Sequence, residues 1–310
     1  MRILITGADG FVGRYVVKAL IKSNHHVIAG LLHPGVDLTD ANETVFLNIT
    51  NSKQVNMVIN ELQPDGIIHL AAQSMVEAAW QNPAETLLVN TIGTTNIVKA
   101  VAQFSRATKV LTIGSSEEYG LTGMLGRALV ESDPCLPQNP YAISKLAAGQ
   151  MAIQLAAKDN LNVLHVRPFN HFGPYQRQGF VVSDFASQIA RVEKGLVAPI
   201  ISVGDLSAQR DFTDVRDVIQ AYIHLIEQDV PTGIYNVCSG EPHTAQEILD
   251  IMLFNSKAKI EVQQDKKKFR PSQVPLFIGS AEKIMSAIEW RPKKIFKDSV
   301  IETLNWWRNQ

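Results

Sequence analysis

Cysteine is scarce in this sequence, and Cys135 and Cys238 have neither the number nor the spacing of a disulfide framework or a metal site. No apolar run approaches the ~18 residues that a membrane-spanning helix needs. The amino terminus enters a strand-like run without the charged leader and small-residue cleavage site of an exported protein. These absences predict a cytoplasmic protein in a reducing compartment, with no resident metal and no membrane contact.

An excess of charge of either sign is also missing. The 29 basic and 30 acidic residues leave a net charge of −1, so electrostatics give no reason to expect nucleic acid or an anionic surface as a partner. The chain does have 45% hydrophobic and 19% charged residues, the profile of a soluble globular protein. Its 310 residues are enough to bury a substantial core.

Short apolar runs alternate with helical patterns through the first half of the chain. Strands are predicted at residues 2–6, 26–30, 45–49, 64–72, 109–114 and 162–166. Helices are predicted at about 51–62, 83–103 and 140–157. This alternation predicts an α/β protein built on a doubly wound parallel sheet.

Three glycines at a spacing of three follow the first predicted strand and open the first predicted helix. Gly7 permits the turn, Gly10 lets a pyrophosphate approach bare backbone, and Gly13 lets the helix pack closely on the strand. The helix amino terminus then offers amide donors to phosphate. This context predicts a Rossmann-like site for NAD or NADP.

The second strand leaves the choice between the two cofactors open. A cofactor with a free ribose 2′-hydroxyl usually meets an Asp or Glu near the end of this strand. Here Ala29-Gly30 is followed by Leu31-Leu32-His33-Pro34, which has no carboxylate, and no arginine is obviously placed to hold a 2′-phosphate.

The regular alternation ends after residue 167, where glycine and proline become frequent. Residues 1–167 are interpreted as the dinucleotide-binding domain, to which elements near 212–238 return. Residues 168–310 are interpreted mainly as a smaller substrate-binding region, with no polar linker that would make it independent.

Tyr141 and Lys145 stand one turn apart on the helix that Pro140 opens. A phenol is a weak acid near neutral pH, and the ammonium of Lys145 is expected to lower the pKa of Tyr141 into a range useful for proton transfer. The carboxyl ends of parallel strands meet at one edge, so Gly7, Ala71, Ser115 and Arg167-Pro168 are expected in one crevice.

These motifs together resemble the extended short-chain dehydrogenase/reductase family, in particular its branch that acts on nucleotide-diphosphate sugars. The matching stretches are residues 6–13, His69-Leu70-Ala71-Ala72, Asn90, Ser115 to Gly120, Tyr141 to Lys145, Arg167 to Pro174, Gly179-Phe180-Val181, Arg210 to Asp217, Tyr235 to Gly240 and Arg270 to Pro275.

The resemblance implies roles for individual residues. Ser115, Tyr141 and Lys145 match the catalytic residues, although the adjoining Ser116 could be the serine that points inward. The implied cofactor contacts are Gly7, Gly10, Phe11, Val12, Gly13, Asn48, Ile49, Leu70, Ala71, Ala72, Asn90, Tyr141, Lys145 and Pro168. The implied substrate contacts are Ser115, Ser116, Glu117, Asn170, Phe180, Val181, Arg210 and Arg270.

Asn48 stands where the family often has an aspartate that contacts the adenine amino group. The amide oxygen of Asn48 is expected to accept that hydrogen bond instead. Arg210 and Arg270 resemble the clamps on the substrate diphosphate and ribose, for which a planar guanidinium is well suited.

The reaction implied is reduction, with NADP(H) or NAD(H), of the C4 ketone of a GDP-linked 6-deoxyhexulose. Glu117 occupies the place of the catalytic base of a dehydratase of the same branch, whereas the Gly-Phe-Val-Gly turn differs from the dehydratase form. A reductase giving the opposite C4 epimer and a non-catalytic nucleotide sensor are further alternatives.

The helices at 83–103 and 140–157 resemble the family's dimer helices, although their apolar surface could instead be buried in a monomer.

Overall fold

A computed structural model describes residues 1–33, 40–265 and 274–310 of the chain. The first half contains β1 (Arg2–Thr6), α1 (Phe11–Lys22), β2 (His26–Leu31), β3 (Glu43–Phe46), α2 (Ser52–Leu62), β4 (Gly66–His69), α3 (Val76–Gln81), α4 (Pro83–Leu87), a π-helical segment (Leu88–Ile92), α5 (Gly93–Phe104), β5 (Lys109–Ile113), two short 3₁₀ turns (Ser116–Glu118 and Leu121–Leu125) and α6 (Pro140–Asp159).

The second half is less regular. It contains β6 (Val163–Pro168), β7 (Asn170–Phe172), α7 (Val181–Glu193), β8 (Ile200–Val203), β9 (Gln209–Asp214), α8 (Val215–Glu227), β10 (Gly233–Val237), β11 (Pro242–Thr244), α9 (Ala245–Phe254), β12 (Glu261–Gln264), β13 (Leu276–Phe277), α10 (Glu282–Ala287) and α11 (Phe296–Arg308).

Seven parallel strands form the central sheet, in the order β10-β6-β5-β4-β1-β2-β3. The chain proceeds outward from β1 to β3 and then returns to place β4 on the other side of β1. This reversal creates the switch point at which such sheets bind ligands. The prediction of a doubly wound parallel sheet is confirmed.

Helices cover both faces of this sheet because its strands are apolar on both sides. One buried cluster joins α1 and α8 to the sheet through residues such as Val16, Leu20 and Tyr222. The other joins α2, α5 and α6 through residues such as Val55, Ile97 and Ala152. Both faces of the sheet are therefore sealed, and only its edges are open.

A third apolar cluster holds the carboxyl-terminal region together. It collects Phe185, Ile201, Leu249 and Leu304 from α7, β8, α9 and α11. A small sheet in the order β11-β9-β13, with β7 also paired to β9, stands above the carboxyl edge of the central sheet. The strand β10, in contrast, pairs with β6 at the edge of the central sheet.

Several boundaries differ from those predicted. The strand predicted at 45–49 is β3, Glu43–Phe46, because the chain leaves the sheet at Leu47 and turns into the cap of α2. The helix predicted at 83–103 contains the π-helical segment Leu88–Ile92, and the helix α3 before it was not predicted. Cys238 is buried one residue beyond β10.

None of the helices within the described ranges is long and apolar enough to cross a bilayer.

Gly13 tests the close packing of α1 on the first turn. A Cβ at this position would lie 2.4 Å from the carbonyl oxygen of Gly7, a backbone atom that cannot move away on its own. We expect Gly13→Ala to lower the free energy of unfolding by about 1–3 kcal/mol, measured by urea denaturation. Gly233→Ala is the matched control, because the nearest atom to its Cβ would be 3.7 Å away. Equal stabilities of the two variants would contradict this packing.

Candidate active site

The glycine turn meets the end of β4 at the switch point. Gly7 has a φ of +67°, and a Cβ there would lie 2.9 Å from the backbone of Ala71, so only glycine fits. Leu70, Ala71 and Ala72 are partly exposed beside it. The backbones of two neighbouring strands are thus open to a ligand that lies across their ends.

The amino terminus of α1 is fitted to a pyrophosphate. Gly10 is exposed and caps the helix, so the amides of Phe11 and Val12 begin it without partners in a preceding turn. The ring of Phe11 lies parallel to that of His171, with centroids 6.3 Å apart. Residues of β7 therefore form the opposite wall of the crevice, and the turn fits a nicotinamide dinucleotide.

Asn90 is buried and uses its whole amide group on protein partners. Its Oδ1 accepts from the amide of Gln73 at 2.8 Å, and its Nδ2 donates to the carbonyl oxygen of Gln73 and to Ser144 Oγ at 3.0 and 2.9 Å. Asn90 thus ties the segment after β4 to the helix of Tyr141. Its placement indicates a supporting role behind the cofactor crevice.

The side chain of Asn48 differs from the expectation. Its Oδ1 already accepts from the amide of Thr50 at 3.0 Å and from Thr50 Oγ1 at 2.8 Å. Both lone pairs of the oxygen are occupied by this local turn, so the group left for an adenine is the amide nitrogen, a donor. The neighbouring Ile49 is buried and packs against Gly93.

Ser115 and Tyr141 meet beyond the end of β5. Asn139 caps α6 by accepting the amide of Ala142 at 2.8 Å, and this fixes the first turn that carries Tyr141. The Ser115 side chain lies close enough to the Tyr141 phenol to lower its pKa. Ser116 makes no such contact with Tyr141, so Ser115 is the serine that faces the phenol.

The expected effect of Lys145 on Tyr141 is wrong for the protein in this form. Burial raises the pKa of Tyr141 to about 12, and the neighbouring Ser115 side chain lowers it only in part. Lys145 Nζ lies 5.9 Å from the centre of the Tyr141 ring and donates to the carbonyl oxygen of Ile113 at 2.8 Å. Removal from water outweighs the distant charge, and the phenol is firmly protonated at neutral pH.

Lys145 is itself strongly perturbed. Burial lowers its pKa to about 8, and the negative charge of Glu118 opposes that change. The same ammonium contributes, after burial, to lowering the pKa of His69 to about 3. The neutral His69 ring bridges Thr6 and Thr94 at 2.7 and 3.1 Å below the crevice floor.

The predicted substrate contacts that the structure describes lie on several different elements. Glu117 is exposed, and its Oε2 accepts from Asn139 Nδ2 at 3.2 Å. Burial lowers the pKa of Arg210, and the negative charge of Glu117 opposes that change. The side chains of Glu117 and Arg210 are therefore close enough to interact. Asn170 is exposed on β7, and Phe180 and Val181 are half-buried at the start of α7. Arg270 lies outside the described residues.

Arg167 and Pro168 were both predicted to line the crevice, but the side chain of Arg167 points away from it. Pro168 is buried at the end of β6. Arg167 does not face the crevice, because its Nε donates to Glu118 Oε2 at 2.8 Å beneath it. Sequence reasoning gave Glu118 and His165 no role. The signal for a role was the charge of Glu118, an acidic residue that follows directly after the buried strand β5 and the Ser115-Ser116-Glu117 turn.

A glycine turn at the switch point of a parallel sheet, facing a helix that carries a tyrosine and a lysine one turn apart, defines a class of proteins. That class is the short-chain dehydrogenase/reductases. The model of the family described as GDP-mannose 4,6 dehydratase matches residues 4–303, and the chain belongs to this family.

Curated relatives align with the whole chain. A GDP-6-deoxy-D-mannose reductase from Pseudomonas aeruginosa is 33% identical over 310 residues, covering 100% of this chain and 98% of its own. A GDP-6-deoxy-D-talose 4-dehydrogenase from Aggregatibacter actinomycetemcomitans is 28% identical, covering 93% of this chain and 91% of its own. The solved structure of RMD from Pseudomonas aeruginosa complexed with NADPH has a TM-score of 0.87 at 32% identity, with 99% of both chains covered.

These similarities establish a GDP-sugar-modifying enzyme of the oxidoreductase and dehydratase kind. They confirm the predicted family but do not by themselves choose among its reactions, because the family's description and the two relatives name three different activities.

The buried Lys145 gives a pH-dependent contribution to stability. Its pKa falls from 10.5 to about 8 on folding, so between these values the unfolded chain binds more protons and stability rises with pH. Below pH 8 the folded protein bears a cost of about 3 kcal/mol for the buried charge. We expect the stability of Lys145→Met relative to wild type to fall by that amount from pH 7.5 to 10.5 in urea denaturation.

Lys158→Met is the matched control, since Lys158 is exposed in the last turn of the same helix. We expect the stability of this variant relative to wild type to stay constant over the same pH range. A stability difference between wild type and Lys145→Met that stays constant with pH would contradict the burial of a titrating lysine.

Proposed function

We propose that the protein reduces the C4 ketone of GDP-4-dehydro-6-deoxy-D-mannose to GDP-6-deoxy-D-mannose, also called GDP-D-rhamnose. The observation that carries this proposal is the meeting of Ser115, Tyr141 and Lys145 at the mouth of the dinucleotide crevice. The full-length similarity to a GDP-6-deoxy-D-mannose reductase supports the choice of substrate.

Tyr141 is the proton donor of this reaction. When bound, a reduced nicotinamide supplies the hydride that adds to the carbonyl carbon. The phenol of Tyr141, which is protonated at neutral pH, gives its proton to the carbonyl oxygen as the C–O double bond becomes single. The product is an alcohol, and Tyr141 recovers its proton from solvent.

Ser115 and Lys145 support that transfer from either side. The Ser115 hydroxyl lies against the phenol and donates a hydrogen bond to the same carbonyl oxygen, where negative charge develops. Lys145 is predominantly charged at neutral pH, because its pKa is about 8. Its remaining N–H groups, beyond the one that donates to Ile113, would hold the nicotinamide ribose when the cofactor is bound.

The nucleotide end of the substrate is held by the carboxyl-terminal region. Arg210 is anchored by hydrogen bonds to the carbonyl oxygens of Gln209 and Val274, at 2.7 and 3.0 Å, and provides a guanidinium for the diphosphate. Asn170 is exposed in position to contact phosphate, and Phe180 with Val181 provides an apolar wall for the guanine. Arg270 is proposed as the second clamp from its motif alone.

The nicotinamide cofactor predicted from the glycine turn is confirmed by the family and by solved relatives that contain NADPH or NAD. We propose NADPH as the preferred form. In the described residues that follow β2, Leu32 and His33, there is no carboxylate to contact a free 2′-hydroxyl.

Two neighbouring reactions remain as alternatives because specific observations favour them. Glu117 lies in the crevice with one hydrogen bond, from Asn139, and could remove the C5 proton in a GDP-mannose 4,6-dehydratase. The relative that is a GDP-6-deoxy-D-talose 4-dehydrogenase favours the opposite C4 epimer. The two alternatives predict different products from different substrates.

A substrate panel tests the proposed reaction. With NADPH and GDP-4-dehydro-6-deoxy-D-mannose we expect oxidation of NADPH and formation of GDP-6-deoxy-D-mannose, whose C4 configuration is read by NMR. We expect Tyr141→Phe to lower kcat by about 10²–10⁴-fold with little change in substrate affinity, because it removes only the proton donor.

Formation of a 4-keto sugar from GDP-mannose without added reductant would instead identify a dehydratase. A talose configuration at C4 would identify the epimeric reductase. Wild-type kcat in Tyr141→Phe would remove Tyr141 from the mechanism, and Ser116→Ala is the control for a nearby substitution that leaves the Ser115–Tyr141 contact in place.

The protein is also proposed to act as a homodimer. Large apolar side chains are exposed on neighbouring helices from α3 to α6, where a monomer would leave them in water: Val76, Trp80, Leu87, Leu88, Ile92, Ile143 and Met151. Helices α4 and α6 pack side by side, so these residues form one surface. A second copy of the same surface would bury it in a four-helix contact.

Leu88 tests that assembly, since it is 45% exposed in the middle of this surface. We expect wild type to elute as a dimer, and Leu88→Arg to shift the mass to a monomer because a charge would be buried, measured by size-exclusion chromatography with light scattering. Leu196→Arg, at an exposed leucine in the carboxyl-terminal region, is the control. A dimer that survives Leu88→Arg would place the contact elsewhere.

A further inference from the structure

A charged cluster lies buried beneath the catalytic serine, and the proposed reaction does not use it. It consists of Glu118, His165 and Arg167, called here the Glu118 cluster. Glu118 is 0% exposed, and its carboxylate accepts from His165 Nε2 at 3.1 Å and from Arg167 Nε at 2.8 Å. A fully buried carboxylate with two such partners is stable only when its lone pairs are satisfied.

The third hydrogen bond of Glu118 goes to the catalytic serine. The backbone amide of Ser115 donates to Glu118 Oε1 at 3.0 Å, while the Ser115 side chain accepts from the amide of Glu117 at 3.2 Å. These two bonds close a reciprocal cap around the first residue after β5. The backbone and the side chain of Ser115 are therefore both fixed in direction.

Two glycines are needed because this cluster fills the space beside them. A Cβ on Gly114 would lie 2.1 Å from Glu118 Oε1, and a Cβ on Gly149 would lie 2.3 Å from His165 Nε2. Gly114 immediately precedes Ser115, and Gly149 lies one turn after Lys145 on α6. The Glu118 cluster is thus packed between the serine turn and the helix that carries Tyr141 and Lys145.

We propose that Glu118 is a positioning residue that fixes the backbone and side chain of Ser115 beside Tyr141. This inference rests on the proposed reduction for its kinetic consequence, but not for its structural one. Burial alone would raise the pKa of Glu118, yet His165 and Arg167 outweigh it and hold that pKa below its usual range, so the carboxylate is ionised.

The charged and titratable groups that face Glu118 come from three elements. They are His165 and Arg167 on β6, Tyr141 and Lys145 on α6, and Cys135 in the segment before α6. The proposed reaction uses two of these groups, Tyr141 and Lys145, and the charge of Glu118 raises the pKa of both. The negative charge of Glu118 raises the pKa of Lys145 against the larger effect of burial.

Glu118→Gln tests the proposal, because glutamine keeps the shape and one acceptor but removes the charge. We expect kcat for the 4-keto sugar nucleotide to fall by about 10- to 100-fold as Ser115 loses its alignment, with KM changed by less than about threefold. We also expect Lys145 to titrate at a lower pH, followed by carbon-13 NMR of lysine-labelled enzyme and assigned with Lys145→Met. That second measurement needs no substrate.

Glu193→Gln is the matched control. Glu193 also holds an arginine and a backbone amide, through bonds of 2.7 Å from Arg308 Nε and 2.9 Å from the amide of Lys257, but it lies in the carboxyl-terminal region. We expect this variant to lose stability while kcat and the Lys145 titration stay at wild-type values. A purely structural role for Glu118 would make the two variants alike.

Arg167 would be left without its partner in Glu118→Gln, and the variant could fail to fold for that reason. The double variant Glu118→Gln/Arg167→Met removes both charges, and we expect it to fold and still show the lower kcat and the lower Lys145 titration. Wild-type values of both quantities in a folded variant, or failure of both variants to fold, would overturn the positioning role. If wild type itself does not reduce the sugar, the proposed reaction is wrong. The Lys145 titration still tests the role of Glu118, because that measurement needs no substrate.

Discussion

The ionised carboxylate of Glu118, with no exposed surface, is the charge on which the arrangement of the crevice depends. It receives hydrogen bonds from Ser115, His165 and Arg167, and so joins the end of β5 to two positions on β6. Arg167 in turn lies over the ring of Tyr119, with its Cζ 4.7 Å from the ring centre. The turn after β5 is rigid because each of these groups would be costly to leave unpaired in the interior.

Burial also shifts the pKa values of Tyr141 and Lys145 in opposite directions. A lysine at the next helical turn suggests a phenol of lowered pKa, but Tyr141 is partly buried and Lys145 Nζ is 5.9 Å from the centre of its ring. The desolvation of the phenol is therefore the larger effect, and its pKa rises to about 12. The phenol is therefore protonated at neutral pH, as a proton donor must be, but its higher pKa also makes it a weaker acid.

The sequence patterns that are local were sufficient to predict the architecture. Alternation of apolar runs with helical periods gave the parallel sheet, and the spacing of Gly7, Gly10 and Gly13 gave the turn at the end of β1. The contacts that local patterns could not reveal join residues far apart in the chain. Arg167 lies near the end of β6, where the side chain was expected to open into the crevice, and the position of Glu118, 49 residues earlier, explains why it points inward.

Asn48 shows the same limit at shorter range. The likeness to an acidic position suggested an acceptor for adenine, but the neighbouring Thr50 takes both lone pairs of the amide oxygen. A motif identifies which residue stands at a site, whereas its hydrogen-bond partners decide what that residue offers. Glu117 follows this rule as well: it is tied to Asn139 at the start of α6, beside Tyr141, where a carboxylate can orient a sugar hydroxyl or accept a proton. The proposed reduction and the alternative dehydration would therefore both use the space between Glu117 and Tyr141.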